Sequence, residues 1–231
     1  MSTEAEAGYV DSSQRLLQVG GRKWDQAQLL EAAKRGQLPH TGWPIGVVLE
    51  PPDVRPRPMA DGIEATLGQE DYWAFKEDSS YYVFRQFEEN SQKASFTSSL
   101  GHPERPIFFD TRILRIVELL IHSTTLYRSL GIPPDEPYLL SINHGGIRNR
   151  EFYVNTMDWH VRRGRVCKVP AAEWTREVTQ DYAITQLKPL VEEIANGLFV
   201  LFDFAKVENS TLSVLVDRFL DARLARGWSL P

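Results

Sequence analysis

The run TRILRIVELLIHSTTLYRSLG, residues 111–131, constrains the fold most. Ile113, Ile116, Val117, Leu120, Thr124 and Tyr127 recur at the three- and four-residue spacing of one helix face, and Gly131 supplies a stop. Asp110, immediately before the run, is the expected N-cap. So apolar a stripe has to be buried, and the partner on offer is β-rich. GIEATL (62–67), DYWAFK (71–76) and SSYYVFRQFEE (79–89) are dense in aromatic and β-branched residues and are punctuated by Gly, Asp and Ser, as in an antiparallel meander. IGVVLE (45–50) reads as a further strand. It ends at PPDVRPRP, whose prolines restrict residues 51–58 to an exposed connection or a sheet edge.

The flanking segments complete an α+β pattern. WDQAQLLEAAKRGQ (24–37) reads as a short helix, with Asp25 as N-cap, Gln28 three residues on, and Gly36 as the stop. PIFFD (106–110) is a short strand after the polar connection 90–106. YLLSINH (138–144), REFYVNT (150–156) and RVCKVP (165–170) are three more strand candidates. Two C-terminal helices follow, ITQLKPLVEEIANGLFVLFDF with Pro189 near its start and STLSVLVDRFLDARLARG with Ser210 as its cap. The expected fold is therefore α+β, a mainly antiparallel, aromatic-rich sheet packed against a central helix and two C-terminal helices. Residues 1–12, small, acidic and polar, are expected to form a mobile tail ahead of a single domain spanning 13–231.

Whole-chain properties exclude some function classes. Apolar residues make up 42% of the 231, enough for a sizeable core. The net charge of -5 opposes bulk attraction to nucleic acid or to an anionic membrane, although a local basic patch can override it. Cys167 is the one cysteine, so neither an intrachain disulfide nor a multi-thiolate metal site can form. No apolar run approaches a membrane span and the N-terminus lacks the regions of a signal peptide, which leads us to expect a cytoplasmic protein.

The stretch most open to function is SINHGGIRNR, residues 141–150. Gly145 and Gly146 suit a hairpin turn between two strands without any function. Alternatively, the glycine amides with His144, Arg148 and Arg150 surround a small anion, since guanidinium groups bind carboxylate and phosphate in bidentate fashion. The spacing matches no phosphate-binding loop. Downstream, Arg148, Arg150, Arg162, Arg163, Arg165 and Lys168 are interleaved with Phe152, Tyr153 and Trp159. That composition suits single-stranded nucleic acid, held by charge and stacking, or a solvated hairpin. Arg162, Arg163, Arg165 and Lys168 would carry the nucleic-acid reading. The histidines are scattered and no H-E-x-x-H pair occurs, so no metal site and no cofactor is expected. A hydrolase or nuclease would have to assemble His144, Asp158 and His160. No catalytic residue can be named for it beyond those.

Several short motifs resemble a known family: GWP (42–44), RPMADGIEA (57–65), DYW (71–73), FFDTRI (108–113), LYRSLGI (126–132) and HGGIRNR (144–150). Together they are similar to the accessory region that follows the DNA-binding domain in bacterial Schlafen/AlbA-type (ATP-binding) proteins. The resemblance implies a sensory or partner-binding module in which HGGIRNR is a recurrent structural element. It implies no catalytic residues. The expected activity is accordingly non-catalytic recognition of a small anionic ligand or a protein partner, with His144, Gly145, Gly146, Arg148 and Arg150 as the contact group. Nucleic acid or a second copy of the chain are the other partners the residues allow.

Overall fold

A computed structural model describes residues 7–38, 45–68, 70–90, 105–153 and 163–224. In chain order its elements are β1 (Tyr9–Leu16), α1 (Gln26–Gly36), β2 (Arg57–Met59), β3 (Gly62–Leu67), β4 (Asp71–Lys76), β5 (Tyr81–Gln86) and a 3-10 turn (Glu88–Asn90). They continue with β6 (Pro106–Phe108), α2 (Phe109–Ser129), β7 (Tyr138–Gly145), β8 (Glu151–Tyr153), β9 (Ala171–Val178), α3 (Gln180–Thr185), α4 (Leu187–Phe199) and α5 (Asn209–Leu224). The expected α+β class is what is found. A seven-stranded sheet runs in the order β2-β3-β4-β5-β1-β7-β9 with every neighbour antiparallel, and β6 pairs with β8 in a separate parallel pair.

The meander β3-β4-β5 is as the aromatic-rich runs require, with Trp73 and Phe75 pointing inward and Tyr72 and Tyr82 outward. Against its inner face lies α2, which is buried around almost its whole circumference. Ile113, Ile116, Val117, Leu120 and Tyr127 are fully enclosed, while α1, α3, α4 and α5 cover the side away from the sheet. Two details of α2 differ from expectation. Its N-cap position is Phe108, which has no capping side chain, and Asp110 sits inside the first turn, accepting from the Thr111 amide at 2.9 Å. At the other end Gly131 (φ 74) donates to the Arg128 carbonyl and Ile132 to that of Tyr127, a closure that needs the left-handed residue expected there.

Other expectations are corrected. Tyr9–Leu16 is an interior strand of the sheet, between β5 and β7, so residues 9–12 are not a mobile tail. Val10, Ser12, Gln14 and Leu16 face inward; Gln14 donates to the Ser123 carbonyl of α2, so two of the four inward residues are polar and the usual apolar alternation is absent. Ile45–Glu50 is not a strand. Side chains replace a ladder there, with the Gln37 amide oxygen accepting from Val48 N–H and the Trp73 indole donating to the Val47 carbonyl. RVCKVP contributes only an isolated bridge, Val166 to Glu151, and the strand at this edge is β9. Pro189 lies in the first turn of α4, as expected, but that helix covers Leu187–Phe199 instead of 184–204, and Ile184 and Thr185 belong to the preceding α3. The last helix starts at Asn209, so Ser210 lies within it rather than capping it.

No helix among the described residues is long and apolar enough to cross a membrane. Because Leu120 is enclosed between sheet and helices, we predict that Leu120→Ala lowers unfolding free energy by about 2–5 kcal/mol in urea titration. A loss under about 1 kcal/mol would show that this helix is not the centre of the core.

Candidate functional site

Gly145 and Gly146 do not make a hairpin. The chain leaves the large sheet at Gly145 and enters β8, which pairs with β6 instead of β7. Both glycines sit at close approaches, Gly146 to backbone in a left-handed conformation and Gly145 to the far end of the Tyr9 side chain. A Cβ on Gly145 would sit 2.1 Å from the Tyr9 ring, and one on Gly146, at φ 62, would sit 2.2 Å from the Ala7 carbonyl oxygen. The following turn is closed by Arg150 N–H on the Ile147 carbonyl, with Asn149 in the left-handed region at φ 62. It is tied to residues 165–170 through Ile147 to Pro170, Asn149 to Cys167 and Cys167 to Arg150.

This path separates the side chains expected to act together. His144 is 1% exposed and faces the core, its ring 6.3 Å from that of Phe87. Burial, reinforced by the Arg112 guanidinium, depresses its pKa to about 3, so it is neutral at physiological pH. Its Nε2 has no hydrogen-bond partner among the described residues. Arg150 is 2% exposed and fully engaged: Nε donates to the Gly146 carbonyl at 3.0 Å, Nη1 to that of Pro106 at 3.2 Å, and Nη2 to the Asn90 side-chain oxygen. Burial and the nearby Arg105 pull its pKa down to about 10, which still leaves it charged. Arg150 is a strut between the turn, β6 and the 3-10 turn.

Arg148 alone of that group points to solvent, while its carbonyl accepts from the Arg105 guanidinium at 3.2 Å. Lys168 is exposed beside it, Arg165 is half-buried, and Arg163 donates to Glu151 at 3.0 Å and lies over the Tyr153 ring. Arg162, Asp158 and His160 lie outside the described residues. Cys167 is buried, its thiol donating to the Val169 carbonyl at 3.4 Å, and burial raises its pKa.

The structure also holds a charged cluster that sequence reasoning missed. Arg112 and Arg115 reach from α2 to Glu88 and Glu89 of the 3-10 turn, with Arg112 Nη2 at 2.7 Å from Glu88 and 2.9 Å from Glu89. Arg115 also bonds Glu118, and Arg85 stands 3.2 Å from Glu88. Glu89 accepts from the Phe108 amide at 2.9 Å, so it serves an N-cap residue whose own side chain makes no capping hydrogen bond. Burial alone would raise the Glu88 pKa, but Arg112, Arg115 and Arg85 together hold it at about 2. Burial raises that of Glu89 despite Arg112. Arg112, Arg115 and Glu118 recur every three residues among the apolar residues of the first half of α2, a pattern that marks them in the sequence. Their chemistry is structural, since the charges are spent on one another.

The outer face of the sheet is different in kind. Cross-strand register lines up Thr66, Tyr72, Phe84, Asp11, Asn143 and Glu173 in one row, and Glu64, Ala74, Tyr82, Ser13, Ser141 and Thr175 in the next. Tyr9 packs on Phe84 with ring centroids 5.2 Å apart, and Tyr82 is 37% exposed. No described helix packs on these rows. Among the described residues no group of three or more His, Cys, Asp and Glu is arranged to hold a metal ion. No protein-family model, curated protein or solved structure matches the chain.

Two predictions separate structural from surface roles. Arg150→Ala should cost about 2–4 kcal/mol of stability, because one buried and two part-buried acceptors lose a charged donor, whereas Arg148→Ala should stay within about 0.5 kcal/mol. Equal effects would contradict the assignment. His144 and His122 are both buried with depressed pKa values, about 3 and about 4, against an ordinary 6.5. The unfolded chain therefore binds protons first, and stability is lost as pH falls below about 6.5, by up to about 1.4 kcal/mol per pH unit for each histidine. Urea midpoints at pH 7 and pH 5 test this, and an unchanged midpoint would contradict it.

Proposed function

We propose that the chain is a non-catalytic recognition module that engages a protein partner through the uncovered face of its sheet. The observation that carries this reading is the one-sidedness of the fold: every described helix lies on the inner side, leaving Tyr9, Tyr72, Tyr82 and Phe84 among hydroxyl side chains on the other. Tyrosine offers large contact area at low conformational cost, and serine and threonine add adaptable hydrogen bonds, the composition that recognition surfaces favour. The resemblance to the accessory region of Schlafen/AlbA-type proteins points the same way, because it implies a partner-binding role.

A second reading, binding of an anion or of nucleic acid, is favoured by one observation. Arg105 bonds the Arg148 backbone, and Arg148 and Lys168 both bear electrostatically on the Cys167 thiol, so three cations share one edge. His144 and Arg150 are not available to that edge. Buried, neutral His144 offers no proton transfer to a substrate in solvent, which counts against its part in a hydrolytic site.

The two surfaces are tested together by affinity capture, with variants whose melting temperatures match the parent. Tyr82→Glu with Ser13→Glu should abolish capture of the partner, while Arg148→Ala with Lys168→Ala should retain it at unchanged salt dependence. Loss with the second pair but not the first would overturn the sheet-face reading in favour of the basic edge, where affinity should fall steeply with salt.

A further inference from the structure

The outer face carries a concavity whose lining specifies a chemistry. Between β4, β5, β1 and β7 lies a shallow groove of about 160 Å³, mostly apolar and lined by Ser13, Arg15, Ala74, Lys76, Tyr82 and Leu139 among others. Sites for whole small molecules run to about 300–1,000 Å³, so this one is scaled to a single large side chain. Its only ionic lining groups are the two cations. Lys76 is held by Asp61 at 2.7 Å, whereas Arg15 is exposed and makes no ion pair or side-chain hydrogen bond among the described residues. Leu139 stands directly opposite Arg15 in the β1-β7 register, so an apolar floor and an unengaged guanidinium are adjacent. The nearest acid in that row, Glu177, lies one strand further out, opposite Leu139.

We propose that this groove docks an acidic, extended peptide segment of the partner protein, seating an apolar side chain on Leu139 and Ala74 and the carboxylate beside it on Arg15. Charge complementarity selects this occupant. A basic segment would meet the unpaired charge of Arg15, Lys76 being already paired with Asp61, and a purely apolar one would leave Arg15 to be partly desolvated without a partner, which is costly. A carboxylate instead gains a charge-assisted, bidentate pair. The assignment rests on the sheet-face reading above and makes it specific.

The test is an amide-shift titration of the intact chain by NMR with a blocked five-residue peptide of alternating leucine and glutamate, alongside counterparts carrying glutamine or lysine in place of glutamate. Saturable shifts at Ser13, Arg15, Ala74 and Leu139 are expected with the glutamate peptide. Affinity should drop about tenfold with the glutamine peptide and with Arg15→Gln, and Arg148→Ala should change nothing. Equal binding of all three peptides, or no saturable shift in the groove, overturns the proposal. Shifts confined to Tyr72 and Phe84 would remove the groove while leaving the face as the recognition surface. Groove shifts that follow dilution of the protein alone would make a second copy the occupant, and the peptide assignment would fail.

Discussion

Helix α2 is enclosed around almost its whole circumference, and most of the architecture follows from that enclosure. A helix with Ile113, Ile116, Leu120 and Tyr127 toward a sheet and further apolar residues on its other flanks needs two partners at once. The sheet supplies one, and α1, α3, α4 and α5 supply the other. The helices are thereby committed to one side of the sheet, and no described helix remains for the opposite side. The asymmetry between a polar-laced interior and an open outer face is thus a consequence of burying most of one helix.

Enclosure also explains the charged cluster. α2 carries Arg112, Arg115 and Glu118 into the interior, where an unpaired charge is untenable. Glu88 and Glu89 meet them at the end of β5, and the same turn presents Asn90 to Gly8 and Arg150. The chain's first strand, its central helix and the Gly145–Arg150 passage are joined at this one corner. Breaking a buried pair of this kind typically costs about 3–5 kcal/mol, because the partner left behind stays buried. The cluster therefore reads as a fastening of three segments.

How much of this is visible in the sequence depends on whether side chains keep the period of their element. Residues 111–131 and the three aromatic-rich runs do, and both α2 and the meander are where the pattern puts them. β1 hides because Ser12 and Gln14 occupy inward positions, their polar groups satisfied by Ser141 and α2, contacts that no local pattern encodes. β9 hides because it is a half-exposed edge, with Trp174 and Arg176 tied to Glu193 of α4 rather than sunk in the core. At the glycine pair the residue types were informative but their direction was not. Arg148 and Arg150 are two residues apart in a turn, and that turn sends one guanidinium outward and the other into the protein.

The central claim is that the outer rows of the sheet are the working surface. Hydroxyl-radical footprinting of Tyr72, Tyr82 and Phe84, in the isolated chain and then with the captured partner bound, tests it most directly. The account predicts strong modification of the isolated chain at Tyr82 and marked protection in the complex, with Arg148 and Lys168 unchanged. Full reactivity of Tyr82 in the complex, with protection moved to the Arg148 edge, would contradict it.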